Sequence, residues 1–542
     1  MVPHTLGGEV KTDMTLPNPL KKAAIATVVG VTAAVGGFAP ALAQDDRPEL
    51  VIAVDNLWRT LEPMIGFSSS AYRFNLNFFD PLVDRNYLED PEGTGYIPSI
   101  ATGWERTSPT VWEFSIREGV LFHDGSELTA EDVAFTLSAE RMWGPESLAR
   151  RGRSFMRNTV RVDATGPYTV EVETAFPDPV YYRRFTDQIG MVVPDDFAGM
   201  TPDEFGMMPI GTGPYEVTQF NPGDRLVMEA FDQGWRGAPP ASKITWVIVP
   251  EPSARLAGLV SGEYDFIVNI PPDQQEVFEA YDDVEVVVRS IANYPMFAMN
   301  MLITEENPNN PLVDARLRQA IVSGVDRDLI TEALWGDATF VPTPFNFPEY
   351  GDFYFDPDRE RMWPYDPDRA RELVAASGYD GSPLIWKITR GFYPNYEAAA
   401  EIMVEMWAEI GINVDLAIVD NFSLAYERPF HLLNMSMGSS FSGDPMRPLW
   451  IDWGPGSNRE GARHRSWVPS ERFVEIGREF EREEDLERRH ALYLDLVEEW
   501  ETVSPGMYMW RNVLIWAHGA QYDWVSQPNS GMRMYGDYLT IN

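Results

Sequence analysis

The sequence predicts a mixed α/β protein built from more than one lobe. Its 542 residues exceed the roughly 250–300 that one hydrophobic core usually organises. Strand and helix patterns are interspersed along the chain without regular alternation, and we find no internal repeat. A hydrophobic content of 44% is typical of a core-forming chain and excludes a disordered acidic one.

The charge balance excludes several classes of protein. Lys and Arg total 43 against 83 Asp and Glu, which gives a formal net charge of -40. Binding to nucleic acid or to anionic lipid requires a basic surface, so neither is expected. The absence of cysteine removes disulfides, thiolate metal sites and cysteine nucleophiles. We attribute the acidity to a solvated surface suited to a saline habitat; attraction of cationic solutes is the alternative.

The first 43 residues have the features of a cleaved secretory signal. Lys21 and Lys22 precede an apolar run of 15 residues, 23–37, and the segment ends in an Ala-x-Ala pattern at Ala43. The run is shorter than the roughly 20 apolar residues that a membrane span needs. We therefore predict cleavage after Ala43 and export to the periplasm, with Met1 or Met14 as the start.

Local patterns predict strands and helices throughout the remaining chain. Short apolar or alternating runs predict strands, at 50–54, 111–117, 216–220, 243–249 and 384–388. Capping residues and apolar stripes predict helices, beginning at Thr129 with Asp132 in a capping box, after Asp314, from Pro367 to Gly378 after Asp366, at 398–410, and as a long charged region at 470–500.

Several stretches together resemble the family 5 solute-binding proteins of ABC importers, the peptide, nickel and opine group. The most specific lies within 100–135, where Ile-Ala-Thr-Gly-Trp, Trp-Glu-Phe-Ser-Ile-Arg-Glu-Gly-Val, Phe-His-Asp-Gly and Leu-Thr-Ala-Glu-Asp-Val-Ala-Phe follow in order. Weaker matches follow at 211–215, 314–321, 326–327, 366–379 and 410–414. The resemblance covers essentially all of residues 47–535.

The resemblance implies the two-lobed periplasmic-binding-protein fold of type II, an α/β fold with an extra subdomain in lobe one and a hinge between the lobes. The implied segments are lobe one at 44–298 with a small subdomain at about 60–205, lobe two at 299–509, and a C-terminal return to lobe one at 510–542. In such a fold a ligand that contacts both lobes stabilises the closed state.

The resemblance also implies the function and the partners. We expect a monomeric receptor, not an enzyme, that captures a peptide or another small solute and delivers it to an inner-membrane permease with its ATPase subunits. No cofactor is implied. A secreted hydrolase and a periplasmic chaperone are the alternatives, although the sequence has no Gly-x-Ser-x-Gly or His-Glu-x-x-His motif. No two of the six histidines have a common ligand spacing, so we predict no metal site.

A solute-binding cleft needs aromatic walls and a few oriented polar groups. Trp58, Phe67 and Tyr72 follow the first strand and can either stack on a solute or pack a core. Arg390 and Phe392 lie in a strand-to-helix loop that faces the cleft in this family. Arg390 can bind a carboxylate or phosphate with both of its terminal nitrogens, or it can be a solvated surface residue.

Residues 439–445 resemble the family's Gly-Asp-Pro stretch in lobe two. Peptide-binding members often place an aspartate three residues before the Asp of this stretch, where it pairs with the peptide ammonium. Phe441 occupies that position here, which argues against α-amino recognition. Asp444 can substitute for it or simply form a turn before proline. Trp453 can line the same side or belong to the core.

Overall fold

The structure is a computed structural model that describes residues 45–391, 394–433, 436–439, 442–457, 460 and 465–542, with 436–439 described as backbone only. Its strands are numbered in chain order as β1 (Glu49–Val54), β2 (Val83–Arg85), β3 (Tyr96–Pro98), β4 (Ala101–Ser108), β5 (Val111–Ile116), β6 (Thr159–Gly166), β7 (Thr169–Thr174), β8 (Tyr215–Asn221), β9 (Arg225–Ala230), β10 (Lys243–Ile248), β11 (Phe266–Ile267), β12 (Val284–Ser290), β13 (Asn293–Ala298), β14 (Leu384–Thr389), β15 (Val414–Val419), β16 (Ser436–Ser439), β17 (Gly506–Tyr508), β18 (Val513–Gly519), β19 (Tyr522–Trp524) and β20 (Leu539–Ile541).

The α-helices are α1 (Ser69–Asn75), α2 (Ala130–Thr136), α3 (Gly152–Phe155), α4 (Pro202–Met207), α5 (Pro252–Ser261), α6 (Gln275–Phe278), α7 (Ala315–Ser323), α8 (Arg327–Trp335), α9 (Pro367–Ser377), α10 (Tyr396–Glu409), α11 (Phe422–Ala425), α12 (Glu471–Phe480) and α13 (Leu486–Val503). No helix in the described part of the chain is both long enough and apolar enough to span a bilayer.

The largest sheet has seven strands in the order β12-β18-β11-β1-β10-β9-β8. Strand β1 runs parallel to both of its neighbours, β10 and β11. Apolar side chains from the sheet, from α1 and from the C-terminal segment share one core, in which Phe74, Trp246 and Trp516 are buried. This core joins the two ends of the described chain.

A separate four-stranded antiparallel sheet has the order β4-β5-β7-β6. Trp112 and Phe114 of β5 pair with Val172 and Val170 of β7, and all four side chains are buried in one cluster. The alternating pattern predicted at 111–117 therefore turns its apolar face into this cluster and its polar face outward.

The later part of the chain is mainly helical. Strands β14 and β15 form a parallel pair that shares a core with α7, α9 and α10. Antiparallel strands β16, β13 and β17 form a three-stranded sheet. A second aromatic core contains Trp450, Trp453, Trp467 and Trp500. The lobe boundaries stay a prediction, since these sheets and cores do not define them.

The predicted helix starts are confirmed by their capping bonds. Thr129 N donates to the Asp132 carboxylate at 2.7 Å, and the side chains of Asp314 and Asp366 accept from the first turns of α7 and α9. Gly378 ends α9 with a positive φ of 72°, a conformation that suits glycine.

The long helix predicted at 470–500 is wrong, because two helices occupy this region. Helix α12 ends at Phe480, and α13 begins at Leu486 after the Asp485 carboxylate accepts from Arg488 N at 2.8 Å. Residues 481–485 are all charged and contribute no apolar side chain to an interhelical stripe. A local cap at Asp485 therefore starts a new helix instead of continuing the first.

Candidate functional site

A cavity of about 430 Å³ lies between two segments that are distant in sequence, and we name it the arginine chamber. One wall surrounds α3 and the other spans residues 447–457. The lining residues are Arg150, Arg151, Arg153, Ser154, Phe155, Arg157, Arg447, Ile451, Asp452, Pro455, Gly456 and Ser457. This volume suits a small solute.

The α3 wall brings four arginines together within eight residues, two before the helix, one on it and one after it. Gly152 makes this arrangement possible. A Cβ at that position would lie 2.5 Å from the Met142 carbonyl oxygen, so only glycine allows α3 to pack this closely. The short helix then turns its neighbouring guanidinium groups toward the chamber.

The opposite wall begins with a π-helical turn at Met446–Ile451. Such wide turns are uncommon and often occur at functional sites. This one carries Arg447, whose guanidinium lies 4.3 Å from the centre of the Phe155 ring on the other wall. Arg447 therefore spans the chamber and orders an aromatic ring beneath it.

Phe67, a residue predicted from the sequence to contact ligand, packs against both walls. Its ring centre is 5.6 Å from that of Phe155. The guanidinium carbon of Arg151 lies 4.9 Å from the Phe67 ring centre, and that of Arg447 lies 5.6 Å from it. Arg151 also donates to the Phe67 carbonyl oxygen at 3.1 Å. Phe67 thus holds two of the chamber's arginines in fixed orientations.

The arginines differ in how well their charges are compensated. Arg157 forms an ion pair and a short hydrogen bond with Glu481. Arg150, Arg151 and Arg153 lie within ion-pair distance of no carboxylate in the described ranges. The chamber therefore contains positive charge that its own walls leave unpaired.

The surroundings of Arg151 show the electrostatic cost of this arrangement. Burial lowers the pKa of Arg151, and the positive charge of Arg447 lowers it further, while Asp452 and Asp187 act in the opposite direction. An arginine remains charged at neutral pH under such a shift. A bound anion would relieve the repulsion between these guanidinium groups.

A narrow slot with a free volume of about 20 Å³ continues inward from the chamber through shared residues Phe155, Arg447 and Ile451. Its other lining residues are Val180, Arg183, Arg184, Asp187, Ile189, Ser442, Asp444 and Met446. The space is about that of one water molecule, so the slot can hold a small polar group but no solute.

Asp444 lies in this slot with its carboxylate already engaged. Its Oδ2 is 3.2 Å from Arg183 Nη1, and its Oδ1 accepts from Met446 N at 2.8 Å. Arg489 Nη2 lies 3.8 Å from the same Oδ1. The residue therefore combines the turn-forming role considered from the sequence with a bridge to two arginines.

Asp187 is the less well bound carboxylate of the slot. Its Oδ1 accepts from Gln188 N at 2.5 Å, whereas its Oδ2 has no hydrogen bond and lies 3.8 Å from Arg447 Nη1. Burial raises the pKa of Asp187 and outweighs the opposing effects of Arg447, the Gln188 amide and Arg151. The site thus contains one buried carboxylate whose charge is poorly stabilised.

Comparison with known proteins identifies the family. The model of the bacterial extracellular solute-binding proteins, family 5 middle, matches residues 95–460. The chain belongs to this family. The glutathione-binding protein GsiB of Pectobacterium atrosepticum is 27% identical over 398 residues, which cover 72% of each chain. The oligopeptide-binding protein AppA of Bacillus subtilis is 26% identical over 334 residues, 57% of this chain and 58% of AppA.

Solved structures of similar proteins confirm the fold of this family 5 solute-binding protein. The dipeptide-binding protein of a Pseudoalteromonas species, in complex with Met-Leu, has a TM-score of 0.76 at 18% identity and covers 91% of this chain and 100% of its own. AgaA from A. tumefaciens, in complex with agropinic acid, has a TM-score of 0.76 at 18% identity, with 91% and 99% covered. The predicted periplasmic-binding-protein fold is therefore confirmed.

Two of the remaining predicted residues are placed in cores of this solute-binding protein. Tyr72 is 3% exposed in the cluster around α1. Trp453 is fully buried, with ring centres of Trp467 and Trp500 at 5.7 and 5.2 Å. These positions favour the packing roles that the sequence left open, while contact with a ligand stays a prediction.

The other predicted residues do not line the chamber. Trp58 is 38% exposed. The Arg390 side chain is 63% exposed, and its Nε lies 3.7 Å from the exposed Asp420 carboxylate. Phe392 and Phe441 lie outside the described residues. The structure therefore brings together Phe67 and Asp444 of the predicted set, and ligand contacts by the others stay predictions.

His123, within the family motif, has a structural environment. Gly211 N donates to its Nδ1 at 3.1 Å, and its Nε2 lies 3.0 Å from Gly213 O. Burial lowers the pKa of His123 to about 4. The neutral ring thus joins two turns. The described residues contain no cluster of three or more histidine or acidic side chains suited to a metal ion.

Sequence reasoning missed the arginines of the chamber, although a signal was present. Four arginines within residues 150–157 are conspicuous in a chain whose acids outnumber its bases almost two to one. A local excess of basic residues in an acidic protein indicates a site for negative charge. Asp187 carries no comparable signal, because it is one of 83 acidic residues.

Proposed function

We propose that this chain is the exported receptor of an ABC importer, cleaved after Ala43, that captures a small peptide-like solute in the arginine chamber. In this proposal the monomer acts in the periplasm, performs no catalysis and passes its solute to a membrane permease with its ATPase subunits. The family is extracellular and consists of solute-binding proteins. The names of GsiB and AppA, for glutathione and oligopeptides, support a peptide-like solute.

The observation that carries the proposal is that the chamber lies between two segments joined at their edges mainly by ion pairs. Arg106 Nη2 lies 2.7 Å from Glu484 Oε2, and Arg157 pairs with Glu481. Both pairs connect the four-stranded-sheet region with the segment around α12. Exposed ion pairs contribute little individually, so they hold the walls together only weakly. A solute that contacts both walls therefore supplies the differential affinity needed for closure.

The lobe division expected from the family agrees with this mechanism. Residues 44–298 and 510–542 would form one lobe, and residues 299–509 the other. Arg183 would then belong to the first lobe and Asp444 to the second, with the slot at their interface. In this proposal, hinge motion separates the two walls and exposes the guanidinium groups to solvent.

The test begins with the mature chain purified from its native host. Native mass spectrometry before and after denaturation should detect one bound solute per chain, and calorimetric titration with the released solute should show saturable one-to-one binding. Release of an unchanged solute after prolonged incubation supports a receptor. Conversion of that solute into a product would indicate the hydrolase alternative and overturn the proposal.

A matched pair of variants locates the binding site. Ser154 and Ser261 are both exposed residues whose hydroxyl donates to the carbonyl three residues earlier. Ser154 lines the chamber, whereas Ser261 lies at the end of α5. Ser154→Trp should fill the chamber and abolish measurable binding, while Ser261→Trp should leave binding unchanged. Equal binding by both variants would place the solute elsewhere.

A further inference from the structure

The arginine chamber has the opposite charge from the chain as a whole. The protein carries a formal charge of -40, whereas five arginines and one aspartate line this cavity. We infer that the solute is acidic and presents two or more carboxylate or phosphate groups to the arginine chamber. This inference rests on the proposed receptor function and specifies the chemical class of its solute.

The first argument is the number of guanidinium groups that lack an ionic partner. Arg153 donates to the Ser147 hydroxyl at 3.0 Å and to the Pro145 carbonyl, both of them uncharged acceptors. Arg151 donates to a carbonyl oxygen, and Arg150 has no hydrogen bond to the described part of the chain. Each guanidinium has five donors, so most of those donors stay available to a ligand.

The second argument is that the nearby carboxylates are few and mostly committed. Glu481 pairs with Arg157, and Glu460 accepts from Gly456 N at 2.6 Å. Asp452 lines the chamber, and Asp187 lies in the inner slot. These four carboxylates leave three arginines without an ion pair, which is why we expect more than one acidic group on the solute.

The third argument is preorganisation. Phe67 and Phe155 pack against the guanidinium groups of Arg151 and Arg447, at the distances given above. Aromatic stacking fixes the planes of these groups before a ligand arrives, so less side-chain entropy is lost on binding. A fixed guanidinium fork matches the two oxygens of a carboxylate or phosphate.

The test compares small solutes of matched size and different charge by thermal shift and calorimetry. The panel contains Glu-Glu, Gln-Gln, Lys-Lys, citrate, O-phosphoserine and inorganic phosphate. We expect the acidic members to bind, with Glu-Glu at least tenfold tighter than Gln-Gln. Stronger response to citrate or to O-phosphoserine distinguishes carboxylate from phosphate recognition. Tighter binding of Gln-Gln or Lys-Lys would overturn the inference and leave the receptor function intact.

The absence of any response also has a defined meaning. If no panel member binds and no solute accompanies the natively purified protein, the receptor proposal fails and the inference fails with it. If a solute does accompany the protein, its composition decides. Two or more acidic groups on that solute support the inference, and fewer than two overturn it.

Variants connect the charge preference to the arginines. Arg150→Gln with Arg151→Gln should weaken Glu-Glu binding at least tenfold and Gln-Gln binding by less than threefold. Arg150→Glu tests the same charge at an exposed position that leaves the Phe67 contact intact. Arg369→Gln on α9, a half-exposed arginine paired with Glu372, is the matched control and should change neither affinity. Equal loss for both peptides would assign the arginines a structural role and overturn the inference.

Discussion

Two buried aspartates beside arginines show how differently this protein treats the same chemical pair. Asp84 is 3% exposed and Asp187 is 4% exposed. Arg533 binds Asp84 with both terminal nitrogens, at 2.8 and 2.5 Å, and the Arg85 amide adds a third bond. Arg447 approaches Asp187 only to 3.8 Å and makes no hydrogen bond to it.

The pKa values of the two carboxyl groups move in opposite directions. Burial raises both. At Asp84 the charge and hydrogen bonds of Arg533 outweigh burial, so its pKa is lowered. At Asp187 burial outweighs Arg447, and its pKa is raised. Geometry, not residue type, therefore separates a completed structural ion pair from a carboxylate that merely occupies a positively charged site.

The largest expected effect is on the completed pair. Asp84→Asn leaves the buried Arg533 without its counter-ion and should lower the free energy of unfolding by about 3–5 kcal/mol. Denaturant titration followed by tryptophan fluorescence measures this loss. A loss below about 1 kcal/mol would remove the distinction between the two pairs.

A smaller effect of opposite sign is expected at the loose pair. Asp187→Asn keeps a side-chain oxygen that can accept from the Gln188 amide but removes a negative charge that competes with an acidic solute for Arg447. Binding of Glu-Glu should therefore tighten about fivefold, roughly 1 kcal/mol, with little change in stability at pH 7. Calorimetric titration of the variant checks this expectation. Weaker binding would show that Asp187 itself contacts the solute.

The smallest effect is a difference in pH dependence. A raised pKa means that ionised Asp187 destabilises the folded state, and this cost disappears as pH falls through the raised pKa toward the ordinary value of 3.8. A lowered pKa means that Asp84 contributes stability above pH 3.8 and loses it as pH falls through its lowered pKa. Arg447, Arg151 and the neutral Tyr72 hydroxyl face Asp187.

Between pH 7 and pH 4, wild type should therefore gain up to about 1 kcal/mol relative to Asp187→Asn, while its advantage over Asp84→Asn stays constant. Denaturant titrations at several pH values, with all three proteins in parallel, measure both differences. A constant difference for Asp187→Asn would mean that Asp187 is as well stabilised as Asp84.

Local sequence signals predicted the elements that depend on neighbouring residues. The capping box at Thr129, the cap at Asp366 and the glycine stop at Gly378 each act within one helical turn, and all are confirmed. The split between α12 and α13 escaped prediction because a charged linker and a continuing polar helix have similar composition. The fold was available from ordered motifs that resemble the family.

The site was harder to predict because its parts are distant in sequence. Arg151 and Arg447 share one aromatic ring, yet nearly 300 residues separate them. No local pattern distinguishes Asp84 from Asp187, since their environments depend on arginines far along the chain. The arginine run at 150–157 could have been recognised from charge alone, whereas its counterpart could not.

The placement of strand β18 in the largest sheet has a consequence for how the protein is made. This strand, formed by residues 513–519, pairs with β11 on one side and β12 on the other. Earlier strands leave a gap that only the end of the polypeptide fills. The sheet therefore stays incomplete until synthesis is almost finished, so a chain threaded outward from its amino end emerges before it can lock into shape.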